Sequence, residues 1–211
     1  MGEYRVVSVN VLSKNKYKIT LESIETVVIL SLYSSEVRKY NIVEDGIITD
    51  EIFGELCDLL YKRGKERALY YLKTADKTTH QMRTKLKEGF YPTQIIDRVI
   101  SFLQEYGYID DYRYAMNFVD YNKNKKSVKR LKNDLSLKGI SRHIIETVLE
   151  EILEGNDDTE YNQIELYCRK KIKTDMDEKQ CNRIIMALMR KGFKYEQVRS
   201  VFNTVLEETN T

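Results

Sequence analysis

Apolar residues along this chain fall into two rhythms. In the first fifty positions they alternate: Val7, Val9 and Val11 are separated by polar residues, as are Tyr17, Ile19 and Leu21, with Lys14-Asn15-Lys16 between the runs. Period two interrupted by polar turn residues predicts a hairpin, and the run from Val27 to Leu32 can supply a third strand. Beyond Thr49, a suitable helix N-cap, Ile52, Leu56, Leu59 and Leu60 take up helical spacing. The expected layout is a strand-rich extension over 1–49 and a connecting helix over 50–63.

From about residue 64 the rhythm becomes helical and repeats. Gly89-Phe90, Gly139-Ile140 and Gly192-Phe193 punctuate it at separations of 50 and 53 residues. A basic amphipathic stretch precedes each glycine, carrying Met82 and Leu86, Leu131 and Leu135, or Ile184 and Leu188. A second apolar stripe follows: Ile95 to Leu103, Ile144 to Ile152, Val198 to Val205. A further short helix is expected ahead of each pair, around Ala68–Leu72, Tyr112–Val119 and Ile164–Ile172. A glycine in the left-handed conformation ends a helix without steric cost, and the next apolar residue folds back on the last turn. Leu135 with Ile140, and Leu188 with Phe193, have the spacing for that clasp; Leu86 sits one position late relative to Gly89. Thr78-Thr79-His80-Gln81 offers a capping box, and Pro92 suits the first turn of the next helix. Three-helix units are therefore expected over 64–106, 107–155 and 156–211. Each is too small to bury its apolar faces alone, so stacking into an elongated curved array is the expected architecture. The fold class is mainly α, with a small strand-containing N-terminal region.

Composition agrees. Nine glycines and one proline in 211 residues favour long helical tracts over linkers. Three cysteines, Cys57, Cys168 and Cys181, lack CxxC spacing, which argues against a zinc site or disulfide framework and for a reducing compartment. The start of the chain lacks the apolar core of a signal peptide, and no apolar run is long enough to span a bilayer. A soluble, intracellular protein is expected.

Net charge is only +2, but its distribution is uneven. Residues 111–142 carry nine Lys and Arg against three acids, and residues 146–160 carry seven acids and no base. Segregation of this kind can orient a partner, and it can equally mark two solvated helix faces. Lys123, Lys125, Lys126, Lys129, Arg130 and Lys132 cluster in the second unit; Arg169, Lys170, Lys171 and Arg190 echo them in the third. These ten are the candidate contacts to phosphates or to acids on a partner protein. No phosphate-binding loop, dinucleotide fingerprint, zinc-protease motif or nucleophile elbow occurs. His80 and His143 stand near expected helix starts, and Cys168 and Cys181 fall on core stripes. The acid pair Asp110-Asp111 precedes Tyr112, Ala115, Met116 and Val119 at helical spacing, which suits it to capping.

Three strings in order carry a family resemblance. Gly107-Tyr108-Ile109-Asp110-Asp111-Tyr112-Arg113-Tyr114-Ala115, Lys132-Asn133-Asp134-Leu135-Ser136-Leu137-Lys138-Gly139-Ile140 and Arg190-Lys191-Gly192-Phe193-Lys194-Tyr195-Glu196-Gln197-Val198 resemble signatures of RecX proteins. The likeness runs from about Ala68 to Val205, and is weakest at Thr79-His80-Gln81-Met82, where the family often shows Ser-Glu-x-Glu-Leu. The resemblance implies a regulator built as a curved array of three-helix repeats with no active site of its own; the residues themselves add the expectation of a cytoplasmic monomer without a cofactor. Such a regulator lies in the groove of a RecA-type recombinase filament on single-stranded DNA and damps filament growth, ATP hydrolysis and strand exchange. A helical-repeat module that binds DNA without the recombinase is the rival, and an enzyme resting on the Asp pair is the third reading.

Overall fold

In a computed structural model the described residues, 3–153 and 159–210, form four strands and ten helices in two compact units, Met1–Asp110 and Asp111–Thr211. The first unit begins with β1 (Glu3–Ser13), β2 (Lys16–Glu22) and β3 (Val27–Tyr33), then α1 (Ser34–Lys39) and β4 (Ile47–Thr49). The sheet is antiparallel in the order β3-β2-β1-β4. The hairpin and third strand appear as expected, while α1 and β4 have no periodic signal at their length. The inward face of β1 differs from the expected Val7, Val9, Val11 stripe: Val6 is buried, and Val7 and Val11 are 42% and 69% exposed. A register shift between Val6 and Ser8 accounts for Val7, since Val6 pairs with Leu21 and Val9 with Ile19; Val9 keeps the inward side, and Val11, opposite Tyr17, is exposed although it shares that side. A bulge inserts one residue and flips the alternation beyond it.

Against the sheet packs α2 (Asp50–Leu72), capped by Thr49, whose hydroxyl accepts from the Ile52 N–H at 3.4 Å. It runs unbroken through residue 63, merging the connecting helix with the first helix of the first repeat. Gly64 does not break it. A Cβ there would come within 2.9 Å of Val99, so the glycine instead lets α2 approach α4 (Thr93–Glu105) closely. Between them lies α3 (Thr79–Glu88), whose capping box is complete: Thr78 accepts from the Gln81 N–H, and Gln81 accepts from the Thr78 N–H. Sheet residues such as Leu21 and Leu32 share one core with Leu56, Met82, Val99 and Leu103. Arg63, beside the Tyr33 ring, pairs with Glu36 and ties α2 to the sheet.

The second unit holds two three-helix repeats, each with its own core. The first is α5 (Asp111–Asn122), α6 (Val128–Leu137) and α7 (Arg142–Leu153), around Val119, Leu131, Leu135 and Val148. The next is α8 (Thr159–Lys171), α9 (Glu178–Arg190) and α10 (Tyr195–Asn210), around Ile164, Leu188, Phe193 and Phe202. Glu154, Asp157 and Asp158 of the acidic segment lie outside the described residues.

The helix-ending turns share one geometry. Tyr108 N–H donates to the Leu103 carbonyl, Ile140 to Leu135 and Phe193 to Leu188, with Gly107, Gly139 and Gly192 at φ +66°, +79° and +95° between them. In the first repeat Tyr91 donates to Leu86 and the left-handed residue is Phe90 at φ +58°, whereas Gly89 is not left-handed. The late Leu86 is thereby accounted for. The turn is counted from the leucine, four residues before the left-handed position every time, and here that position holds phenylalanine.

Candidate nucleic-acid and partner interface

The basic segment between α5 and α6 is held from the third repeat. Ser127, 1% exposed, caps α6 by accepting from the Arg130 N–H at 3.2 Å. Its own N–H donates to the Lys191 carbonyl at 3.1 Å, and the Val128 N–H donates to the Glu160 carboxylate at 2.9 Å. The orphan donors and positive end of α6 are thus met by a hydroxyl, a carbonyl and a carboxylate. Gly192 makes the approach possible: a Cβ there would sit 2.5 Å from the Ser127 hydroxyl and 2.8 Å from the Arg130 Cβ.

This docking orders the candidate basic residues, and they fall into two groups. Lys123 pairs with Asp120 at 2.8 Å. Lys126 and Arg130 both hold Asp134, at 2.8 and 3.0 Å, with the carboxylate side chain only 12% exposed. Arg169 lies between Glu165 and Glu208 at 2.8 and 2.7 Å. Lys129, Lys132, Lys170, Lys171 and Arg190 are exposed, and among the described residues no ion pair engages them. Arg142, and more weakly Lys132, hold the Glu146 carboxyl below the usual carboxylate range. Exposed pairs are worth about 0–1 kcal/mol, so a phosphate can compete for their cations, and the sheltered Asp134 cluster yields less readily.

Aromatic rings alternate with these cations. Along α5, Tyr114, Phe118 and Tyr121 recur at i, i+4, i+7. The Lys125 ammonium is 3.4 Å from the Tyr121 centroid, Lys126 is 5.1 Å from Phe118, and Lys138 is 5.6 Å from Tyr114. Tyr121 is 72% exposed. In the third repeat the Lys191 ammonium stands 4.2 Å over the Tyr167 ring, and partial burial lowers its pKa. Rings that carry lysines can stack bases while the ammonium groups meet phosphates.

A cavity of about 410 Å³ opens where the two repeats meet. It brings Lys125 and Lys170 together with Lys191, Tyr167 and the amides of Asn124, Asn162 and Gln163. Tyr167 and the amides carry no contact signal in the sequence, where Lys191 stands only as one of the basic residues of the third repeat. Their convergence depends on the docking of Ser127 on Lys191, which no periodicity encodes.

Features of a catalytic site are scarce. Among the described residues no group of three or more His, Cys, Asp and Glu comes together. His80 and His143 are exposed. Burial pushes the Cys168 thiol up to about 11, which keeps it protonated. The acid pair stands at the start of α5, with Asp111 in its first turn. No helix among the described residues is long and apolar enough to cross a membrane.

Residues 65–103 match the domain described as RecX, first three-helix domain, and residues 110–149 the RecX second three-helix domain. The regulatory protein RecX of Finegoldia magna is 30% identical over 195 residues, covering 89% of this chain and 93% of that protein. The chain belongs to the RecX family. The RecX of Clostridium acetobutylicum is 28% identical, covering 96% of this chain and 92% of that protein. A crystal structure of RecX from Lactobacillus salivarius superposes with a TM-score of 0.55 at 25% identity, over 71% of this chain and 97% of that one. A second RecX crystal structure, 16% identical, shares the fold at a TM-score of 0.57 over 95% of this chain and 99% of that one. RecX relatives carry the name of a regulatory protein, and the resemblance drawn from the three sequence strings is borne out.

Proposed function

We propose that this RecX protein binds filaments of a RecA-type recombinase on single-stranded DNA and inhibits filament growth, ATP hydrolysis and strand exchange. The observation that carries the reading is the lysine-and-aromatic surface of the second unit, set on repeats of a regulatory family. Exposed Lys129, Lys132, Lys170, Lys171 and Arg190 would meet phosphates or partner acids, with Lys123, Lys125, Lys126, Arg130 and Arg169 exchanging their present partners. The protein acts in the cytoplasm as a monomer, by binding rather than by catalysis, and needs no cofactor.

Titrating the chain into a RecA-type recombinase turning over ATP on single-stranded DNA tests this. Hydrolysis is expected to fall to a plateau, while a rate unchanged at stoichiometric protein removes the proposal. A second reading, DNA binding without the recombinase, is favoured by the ring–lysine pairs on α5. It predicts saturable binding to naked single strands, weakening with salt at a log–log slope of about −0.7 per phosphate neutralised, with no dependence on the recombinase.

A further inference from the structure

We propose that the cavity between the second and third repeats is a nucleotide subsite, taking one base and its phosphate from single-stranded DNA. This rests on the reading above, that the second unit meets single-stranded DNA, and specifies where one nucleotide is held.

Three features converge there. Lys125, Lys170 and Lys191 line it from both repeats, and that concentration of positive charge favours an anion. Tyr167 supplies a ring to the same lining, with Leu166 and Phe193 as apolar surface. Gln163 also lines the cavity, and its Oε1 is buried without a hydrogen-bond partner among the described residues. An acceptor left without a partner by the protein gains one if the Gln163 side chain turns towards a ligand that donates to it. A base edge presents such donors, and the amide of Asn162 stands in the same lining to read a second position. At about 410 Å³ the space lies near the lower end of small-molecule sites, suiting one nucleotide better than a folded peptide. A simple phosphate site would need the lysines alone, and the ring and amides would have no role.

A free nucleotide and a nucleotide within a strand offer the same chemistry, and the experiment separates them. Binding of the full chain to a fluorescent single-stranded 20-mer is measured by anisotropy for wild type, Gln163→Leu, Lys191→Met and, as a control outside the candidate interface, Lys62→Met on the exposed side of α2. Gln163→Leu and Lys191→Met are expected to weaken binding by about tenfold each, the scale of one charge-assisted or buried hydrogen bond. Gln163→Leu removes an unpartnered buried acceptor and is expected to melt at or above the wild-type midpoint, and Lys191→Met, which gives up its place over the Tyr167 ring, slightly below it. Lys62→Met, which removes an equal charge in the first unit, is expected to change affinity less than threefold. Competition by millimolar deoxynucleoside monophosphate that abolishes wild-type binding would assign the site to free nucleotides and overturn the strand assignment; no competition supports it. Equal displacement by polyglutamate would show a general anion patch and overturn the nucleotide site. Wild-type affinity in both cavity variants overturns the subsite while leaving filament regulation intact, because inhibition of recombinase ATP hydrolysis is read separately on the same proteins.

Discussion

The N–H of Ser127 donates to the carbonyl of Lys191 across 64 residues of sequence, at 3.1 Å. That bond joins the start of one repeat's middle helix to the closing turn of the next, and it fixes where the basic segment between α5 and α6 stands. Gly192, next in the chain, supplies both the left-handed backbone and the missing side chain that the approach requires.

Substituting the two glycines separates backbone strain from crowding. Gly107→Ala meets nothing within 4 Å and carries only the left-handed penalty, about 1 kcal/mol. Gly192→Ala adds contact with Ser127 and Arg130, and the expected loss is about 2–4 kcal/mol. Urea midpoints at constant slope measure both. Gly192→Ala should also speed amide exchange at Ser127, and equal losses for the two variants would contradict the docking.

Thr78 is fully buried and closes a reciprocal cap with Gln81. Thr78→Ala removes the hydroxyl acceptor while Ser, with the same oxygen, retains it, so Ala is expected to cost about 1–2 kcal/mol and Ser a fraction of that. Thermal denaturation of the two variants checks the order.

Asp134 restrains Lys126 and Arg130. Asp134→Asn keeps the shape, removes one negative charge and releases both cations. Affinity for single-stranded DNA should rise a few-fold at low salt and the salt slope should steepen, with a stability loss of about 1 kcal/mol. Weaker DNA binding with an intact fold would show that these two cations do not face the nucleic acid.

The Cys168 thiol, lifted from 9.0 to about 11 by burial, stays protonated when an unfolded thiol would ionise. Its contribution to stability is therefore complete below about pH 9 and lost as pH rises towards 11. At about pH 8 an alkylating reagent should modify the half-buried Cys57 and Cys181 in the native protein and reach Cys168 only in denaturant. Mass spectrometry of the digested protein reads the order, and labelling of Cys168 at the rate of the others contradicts its burial.

Much of the fold was legible because it rests on local rules. The hairpin, the stripe of Ile95, Val99 and Leu103, the cap at Thr78 and the leucine-to-glycine turns each lie within a few residues of sequence. Misreadings arose where a single residue shifts the frame. The bulge between Val6 and Ser8 moved the inward face of β1, and the left-handed position at Phe90 was masked by the glycine before it. The basic clusters were visible as charge, but which cations are engaged was not. Asp134 reaches Lys126 from eight residues away, and Glu208 reaches Arg169 from 39. The cavity joining Lys125 to Lys191 was out of reach, because it forms only when Ser127 docks on another repeat.

Filament regulation is tested most directly by the rate of ATP hydrolysis of a RecA-type recombinase on single-stranded DNA, followed as this protein is added. A fall to a plateau for wild type is the expected result, and it should weaken when Lys129, Lys132, Lys170 and Arg190 are changed together to Met in a protein that melts normally. A rate that stays constant up to equimolar wild-type protein, with filaments of unchanged length by electron microscopy, would contradict the account.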